Sequence, residues 1–220
     1  MTLKDLFKKH SKADYSQKKD IDNLKEDLKL FRQNQQSINQ EEANFLSTLL
    51  DNSNNKWFSA YILGAMETFP KSLISELVET SLNEKDPSFN SYFITPCIRV
   101  YNPIETLKVI ENKRLTTEEE MFNLLSTLYH VHSWIISIGK FNSNSFSEVN
   151  WESIGVKYTW DETTVSYIKN PKKNQMSKSE FDTYLPSHKE FTKRKKELIL
   201  KVKNLAKSNE LKNYASKMLG

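Results

Sequence analysis

The chain has little glycine and almost no cysteine, and both shortages restrict its chemistry. Only four of its 220 residues are glycine and one is cysteine. A phosphate-binding loop needs closely spaced glycines so that the backbone can approach the phosphate, and these four are too few and too scattered to form one. The single Cys97 excludes an internal disulfide, so packing must supply the stability. We therefore expect no cofactor and no nucleotide-dependent catalysis.

Long apolar runs are missing as well. No stretch of about 18 consecutive apolar residues occurs, and the N-terminus lacks the apolar centre of a signal peptide. The sequence therefore predicts no membrane insertion and a cytoplasmic location. Within the apolar stretch 93–98, we expect Cys97 to be a buried small side chain rather than a reactive thiol.

Catalytic and metal-binding patterns are also missing. His130 and His132 stand two residues apart, so on a helix they would face opposite sides and could not share a metal ion. His10 and His188 are isolated, and no nucleophile can be matched to a base. We expect no catalytic, cofactor-binding or metal-binding residues.

The sequence does show helical periodicity. Apolar residues three and four positions apart predict two N-terminal helices, one through Leu3 and Leu6 and one through Leu24 and Leu28. Further helices are predicted over 45–50, 56–69 and 73–82, the last two forming a helical hairpin. Tyr61, Phe93 and Leu125 recur at equal spacing, which indicates repeated units.

One phrase occurs near both ends of the chain. Residues 55–64 read Asn-Lys-Trp-Phe-Ser-Ala-Tyr-Ile-Leu-Gly, and residues 211–220 read Leu-Lys-Asn-Tyr-Ala-Ser-Lys-Met-Leu-Gly. Both copies resemble the first-helix phrase of HEAT repeats, although the spacing of the units is shorter than the roughly 40 to 47 residues usual there. The matching residues are Lys56, Ser59, Ala60, Leu63 and Gly64, and then Leu211, Lys212, Ala215, Ser216, Leu219 and Gly220.

The resemblance implies an all-α fold, a right-handed α-solenoid of HEAT-like helical hairpins with a small insertion that contains a β-hairpin. We expect one domain made of four segments: N-terminal capping helices over 1–40, HEAT-like repeats over 41–139, an irregular insertion over 140–186, and C-terminal helices over 187–220. Strands are predicted over 156–160 and 164–168, where β-branched and aromatic residues flank a turn.

Three local features support helical hairpins. Thr116 and Thr117 precede three glutamates, a pattern typical of a capping box at a helix N-terminus. Pro96 lies inside a predicted helix and should bend it, as first helices of HEAT units are often bent. Arg99 lies among apolar residues and needs a partner, either a carboxylate or helix-end carbonyls of a neighbouring repeat; contact with a ligand is the alternative.

Three groups of residues are candidates for an interaction surface. The aromatic residues of the insertion either cap the helices or contact a partner. The helix over 189–207 should bury Phe191, Leu198, Val202 and Leu205 and present a basic ridge, which either neutralises phosphates or is merely solvated. The second helices of the repeats, which the resemblance places on a concave face, carry mildly acidic positions. The candidates are Trp151, Tyr158, Trp160 and Tyr167; Lys193, Lys196, Lys203 and Lys207, with Lys189 beside them; and Glu76 and Glu79.

These features favour a non-catalytic protein-interaction scaffold or regulatory binding module whose partner is another protein. One alternative is nucleic-acid binding through the basic ridge, because short HEAT-like proteins that resemble this one act as DNA glycosylases; Trp160 and Asp161 would then supply the pocket. The other alternative is an inhibitory or immunity-type partner of an enzyme. The sequence does not separate these three.

Overall fold

Helices account for most of the chain that the structure describes. This computed structural model describes residues 1–133, 135–136, 154–155, 157–170 and 178–219. Contacts divide the chain into two compact units: unit 1 is Met1–Asn102 with Trp160–Tyr167, and unit 2 is Pro103–Thr159 with Ile168–Gly220. The mostly helical content agrees with the expected all-α class, whereas the solenoid arrangement stays a prediction.

Unit 1 begins with the two predicted N-terminal helices. Leu24, Leu28 and Phe31 are buried along one face of the second helix, as their spacing of three and four predicts. A 3₁₀ turn at Pro87–Phe89 precedes the last helix of the unit. The helices are α1 (Leu3–His10), α2 (Lys18–Asn34), α3 (Gln40–Leu50), α4 (Lys56–Ala65), α5 (Leu73–Leu82) and α6 (Asn90–Tyr101).

The helices of unit 1 pair differently from the expected hairpins. α3 packs against α4 and α5 packs against α6, while α3 also contacts α5 and α4 also contacts α6. The predicted hairpin of 56–69 with 73–82 is therefore wrong, because α4 packs on the helix before it and α5 packs on the helix after it. Unit 1 thus contains two helical hairpins, α3–α4 and α5–α6, that lie against each other.

α4 also ends earlier than its apolar pattern predicts. It stops at Ala65, and Met66 is already extended (ψ 145°). The backbone N–H of Glu67 donates to the carbonyl oxygen of Gln36 at 2.7 Å, and that of Ile38 to the carbonyl oxygen of Thr68 at 3.0 Å. The segment after α4 therefore pairs with the segment after α2, so the predicted continuation to residue 69 is wrong.

Pro96 lies inside α6, as the sequence predicts, and Cys97 is buried in the same helix, as expected. Burial raises the pKa of the Cys97 thiol well above its usual range, so the thiolate form is disfavoured. These positions belong to the core of unit 1.

Unit 2 combines four helices with short strands. β1 pairs antiparallel with β2, with Ile135 opposite Gly155 and Ile136 opposite Ile154. β3 and β4 form a second two-stranded sheet, as expected from the sequence, and its turn end, Trp160–Tyr167, belongs to unit 1. The elements are α7 (Pro103–Glu111), α8 (Glu118–His130), β1 (Ile135–Ile136), β2 (Ile154–Gly155), β3 (Lys157–Asp161), β4 (Ser166–Asn170), α9 (Lys178–Leu205) and α10 (Asn209–Leu219).

The N-terminus of α8 confirms the predicted capping box. The Thr117 side chain accepts a hydrogen bond from the Glu120 backbone N–H at 3.1 Å, and the Glu120 carboxylate accepts from the backbone N–H of Thr117 at 2.9 Å and of Thr116. These bonds lower the pKa of Glu120 to about 2. Backbone donors that a helix leaves unpaired are thereby satisfied.

α9 is longer than the sequence predicts. It includes residues 178–186, which the sequence analysis assigned to the irregular insertion, and Pro186 lies within it. α9 contacts α7, α8 and α10 through buried residues that include Phe191, Leu198 and Val202. The fourth residue of the expected apolar face, Leu205, is 46% exposed, so its predicted burial is wrong: Ile199 and Ala206 are buried instead. The apolar stripe is therefore rotated relative to the expected one.

Candidate functional site

An arginine of α6, Arg99, donates hydrogen bonds to the carbonyl groups at the C-terminal end of α4. The Arg99 guanidinium donates hydrogen bonds to the carbonyl oxygens of Leu63 at 3.1 Å, Glu67 at 3.1 Å and Met66. The last carbonyls of a helix carry partial negative charge and have no partner within the helix, so a cation there is stabilising. The expectation that helix-end carbonyls satisfy Arg99 is confirmed.

A second arginine reaches the same helix end from α2. Arg32 donates through Nε to the carbonyl oxygen of Ala65 at 3.1 Å, and its other nitrogens reach the Glu67 carboxylate at 3.2 Å and the Tyr167 hydroxyl at 2.8 Å. Two cations therefore bond the carbonyl groups that end α4. We call this end of α4, with Arg32 and Arg99, the arginine clamp.

Two of the sequence-predicted aromatic residues stack on the arginine clamp. The Arg32 guanidinium carbon lies 3.9 Å from the centroid of the Trp160 ring, and that of Arg99 lies 4.2 Å from the centroid of the Tyr167 ring. The Trp160 and Tyr167 rings are themselves 5.4 Å apart, edge to face. Cation–π contacts of this kind favour an arginine held against a ring. Both rings are half-buried and pack against the chain's own helix end.

The turn between β3 and β4 places these rings. Asp161 accepts hydrogen bonds from the backbone N–H groups of Thr163 at 2.7 Å and Thr164 at 3.3 Å, which closes the turn. Val165 follows with φ 53°, a conformation that β-branched residues rarely adopt, and its side chain is buried. Burial of Val165 in unit 1 therefore offsets the strain of its backbone.

A cavity of about 270 Å³ lies beside the arginine clamp. Its walls come from α2, α4, α6 and the β3–β4 turn, all within unit 1. Gly64 opens one wall, because a Cβ atom placed on it would meet no other atom within 4 Å. The residues that give the cavity its chemical character are Lys25, Tyr61, Ser91, Tyr92, Arg99 and Tyr167.

Aromatic rings continue from the cavity onto the surface of unit 1. Trp57 lies 5.2 Å from Phe89 and 6.0 Å from Tyr92, measured between ring centroids, and Tyr92 lies 5.9 Å from Tyr61. Phe89 and Tyr92 are 40% and 42% exposed. We call these four residues the aromatic face. Sequence analysis missed it, although aromatic residues four apart at 57 and 61 share one side of a helix and could have signalled it.

The phenol group of Tyr61 is protonated at neutral pH. Burial, followed by the neighbouring Tyr92, raises the pKa of Tyr61 to about 12. Its hydroxyl therefore remains a hydrogen-bond donor across the physiological range.

Tyr158, a further candidate from the insertion, lies in unit 2. Its hydroxyl is 2.8 Å from Nε2 of His132, whose Nδ1 is 2.8 Å from the carbonyl oxygen of His130. The two histidines thus have structural contacts of their own. Trp151 lies outside the described residues.

Three of the candidate lysines, Lys193, Lys196 and Lys203, lie on α9, and Lys207 lies between α9 and α10. Lys193, Lys196 and Lys207 are exposed and Lys203 is half-buried. The Lys193 side chain is 77% exposed and lies 4.0 Å from Glu197, one helical turn away. Such a pair contributes little to stability, so this basic ridge remains available to solvent or to a partner.

Glu76 and Glu79 lie on α5 in different surroundings. One carboxylate oxygen of Glu76 is buried without a hydrogen-bond partner. Glu79 is exposed, accepts a hydrogen bond from Asn83 at 3.2 Å and lines a second cavity of about 460 Å³. A buried ion pair between Lys56 and Glu84, 2.6 Å apart, borders that cavity. The structure therefore does not give the two glutamates one shared role.

The described residues contain neither a metal-binding cluster nor a membrane-spanning helix. Among these residues, no group of three or more His, Cys, Asp or Glu side chains could hold a metal ion. None of the helices in the described part of the chain is long and apolar enough to span a membrane. Comparison with protein-family models, curated proteins and solved structures finds no match. The site must therefore be interpreted from its own geometry.

Proposed function

We propose that this chain is a non-catalytic binding module that docks another protein through the aromatic face of unit 1. The observation that carries the proposal is the exposure of Phe89 and Tyr92 within a fixed array of rings that also contains Trp57. Tryptophan and tyrosine supply much of the binding energy at protein interfaces because they bury large areas at low entropic cost. The unit that carries them is a small helical scaffold.

The helix contacts support a finer proposal about architecture. In unit 1 the hairpins α3–α4 and α5–α6 lie against each other, α3 on α5 and α4 on α6. Stacking of this kind is what a short HEAT-like α-solenoid requires. The HEAT phrase of residues 55–64 lies on α4, the second helix of its hairpin rather than the first, so the stacking of the hairpins alone supports this interpretation. Such scaffolds bind partners along an extended surface.

Site-specific photocrosslinking in the native host tests the function. We expect a benzoylphenylalanine at position 92 to give a discrete crosslinked product with another protein. The matched control is the same substitution at Tyr129, a tyrosine of unit 2 that is 69% exposed. Equal products from both positions, or none from position 92, would contradict the proposal. A product containing only a second copy of the chain would also contradict it.

Nucleic-acid binding through the basic ridge is the second candidate, and the exposure of Lys193, Lys196 and Lys207 favours it. Phosphate neutralisation makes such binding strongly salt-dependent. Tight duplex DNA binding that falls steeply with salt, and that is lost when Lys193, Lys196 and Lys203 are changed to Glu, would rank this function first. An inhibitory or immunity-type partner is a special case of the binding module, in which the crosslinked protein is an enzyme.

A further inference from the structure

The cavity beside the arginine clamp has an uneven balance of charge. Two cations, Lys25 and Arg99, line it, and its described lining contains no aspartate or glutamate. Arg99 is committed to the carbonyl groups of α4 but keeps its positive charge, whereas Lys25 projects from α2 and is half-buried. A group entering this cavity therefore meets positive potential from two sides.

The carboxylates near the cavity lie outside its lining. Asp161 is bonded to the backbone of its own turn, and Glu162 accepts a hydrogen bond from Nε1 of Trp160 at 2.5 Å. Asp22, one helical turn before Lys25, acts on the Tyr61 hydroxyl but does not line the cavity. The cavity is thus complementary to an anionic group.

Residues that carry hydroxyl groups complete the lining: Tyr61, Ser91 and Tyr92 from α4 and α6, and Ser166 and Tyr167 from β4. Two of these hydroxyls already have partners within the chain, since the Tyr167 hydroxyl accepts from Arg32 and the Ser166 hydroxyl donates to Thr164. A carboxylate is an acceptor with two oxygen atoms, so phenol hydroxyls and the ammonium group of Lys25 are donors that suit it.

The size of the cavity favours a side chain over a whole small molecule. Its volume of about 270 Å³ is below the range of about 300 to 1,000 Å³ usual for small-molecule sites. Tyr61 and Tyr92 belong both to this cavity and to the aromatic face, so one ligand can occupy both. An extended peptide can place one side chain in the cavity and a neighbouring apolar one on the rings.

We propose that the cavity receives an aspartate or glutamate side chain from an acidic segment of the partner protein, with Lys25 as its ion-pair partner. This proposal rests on the proposed function, since it names the chemistry of the segment that docks beside the aromatic face. Gly64 leaves the cavity open to the segment, because a larger side chain at that position would occupy the space that the acidic side chain enters.

Selection from a display library of random peptides on the purified chain tests this proposal. We expect enriched peptides to share an Asp or Glu beside an aromatic or aliphatic residue. A synthetic enriched peptide should lose about tenfold in affinity, measured by fluorescence anisotropy, on Lys25→Gln, because the substitution removes one charge-assisted hydrogen bond to the acid. Changing the shared acid to its amide in the peptide should cause a similar loss.

Matched variants control the measurement. Lys29→Gln removes a cation from the same helix but not from the cavity lining, and should leave the affinity within twofold. Gly64→Leu should abolish binding by filling the cavity, whereas Gly64→Ala should retain most of it. Circular dichroism checks that each variant is folded.

Enrichment of peptides without an acid, failure to enrich any peptide, or equal binding by the Lys25→Gln and Lys29→Gln variants would overturn the carboxylate site. None of these results depends on the native partner. A crosslink from position 92 to another protein would then still support the binding module, so failure of this inference is distinguishable from failure of the proposed function.

Discussion

The C-terminus of α4 in unit 1 and the N-termini of α8 and α10 in unit 2 are satisfied by opposite charges. In unit 1, Arg32 and Arg99 donate to the carbonyl groups at the C-terminus of α4. In unit 2, the Glu118 carboxylate accepts from the backbone N–H of Ser208 at 3.0 Å and of Lys207, just before α10, and Glu120 serves the N-terminus of α8. Each charge lies at the helix end that its sign stabilises.

The difference implies that these helix ends respond differently to pH. Arginine stays protonated at every pH a folded protein survives, so acid leaves the arginine clamp charged. The carboxylates that serve α8 and α10 lose their charge in acid. Acid should therefore loosen the N-termini of α8 and α10 while the clamp at the C-terminus of α4 persists.

The largest expected effect comes from removing the clamp. Arg99→Ala should destabilise the chain by about 3 kcal/mol, because hydrogen bonds from a charged donor are lost and the contact with Tyr167 disappears. Denaturant unfolding followed by circular dichroism measures this. Lys196→Ala on α9 is the control, with a change within about 0.5 kcal/mol expected at an exposed position. Similar losses of unfolding free energy from Arg99→Ala and Lys196→Ala would show that the hydrogen-bonded Arg99 stabilises the chain no more than the solvated Lys196 does.

The second prediction concerns the capping carboxylate of α8. The folded-state pKa of Glu120 is about 2, below its ordinary value of 4.5. A lowered folded pKa contributes stability that is present above the unfolded value and is lost as the pH falls from about 4.5 towards 2. Glu120→Gln should lower the free energy of unfolding at pH 7, where the carboxylate contributes its stability, and flatten the pH dependence of unfolding between about pH 4.5 and 2.

Amide hydrogen exchange at two pH values locates the effect. We expect the protection of amides in the first turn of α8, measured relative to their intrinsic exchange rate, to fall between pH 5 and about pH 3, while amides at the C-terminus of α4 keep theirs. An equal loss of protection in α4 and α8 would show that the contrast between these helix ends has no consequence for their stability.

The smallest effect is expected inside α4. Gly64→Ala should stabilise the chain by about 0.5 to 1 kcal/mol, because glycine costs conformational entropy within a helix and the added Cβ meets no atom within 4 Å. Thermal unfolding measures the gain. A loss of stability would show that the space beside Gly64 cannot accept a methyl group, and would contradict the open wall of the cavity.

Local features of the fold could be predicted from the sequence, and long-range ones could not. The capping box at Thr117, the burial of Cys97 and the need of Arg99 for helix-end carbonyls each follow from a residue and its immediate neighbours. The early end of α4 depends on Gln36 and Arg32, which are distant in sequence. The apolar periodicity of residues 56–69 does not indicate these distant contacts.

The candidate site shows the same limit. Trp160 and Tyr167 were predicted as aromatic residues of interest, but their stacking on Arg32 and Arg99 joins parts of the chain that no local pattern relates. Trp57 was absorbed into the repeat phrase, so its contact with Phe89 and Tyr92 was missed. The cavity at Gly64 results from these distant contacts together.

Unit 1 is assembled from two separate stretches of the chain, since Trp160–Tyr167 belongs to it although Pro103–Thr159 belongs to unit 2. During synthesis, α2, α4 and α6 leave the ribosome long before the rings that cover Arg32 and Arg99. A fragment ending at Asn102 would expose both guanidinium groups and lack a wall of the cavity. Recombinant truncation at the boundary between α6 and α7 is therefore a poor route to an isolated, binding-competent unit 1.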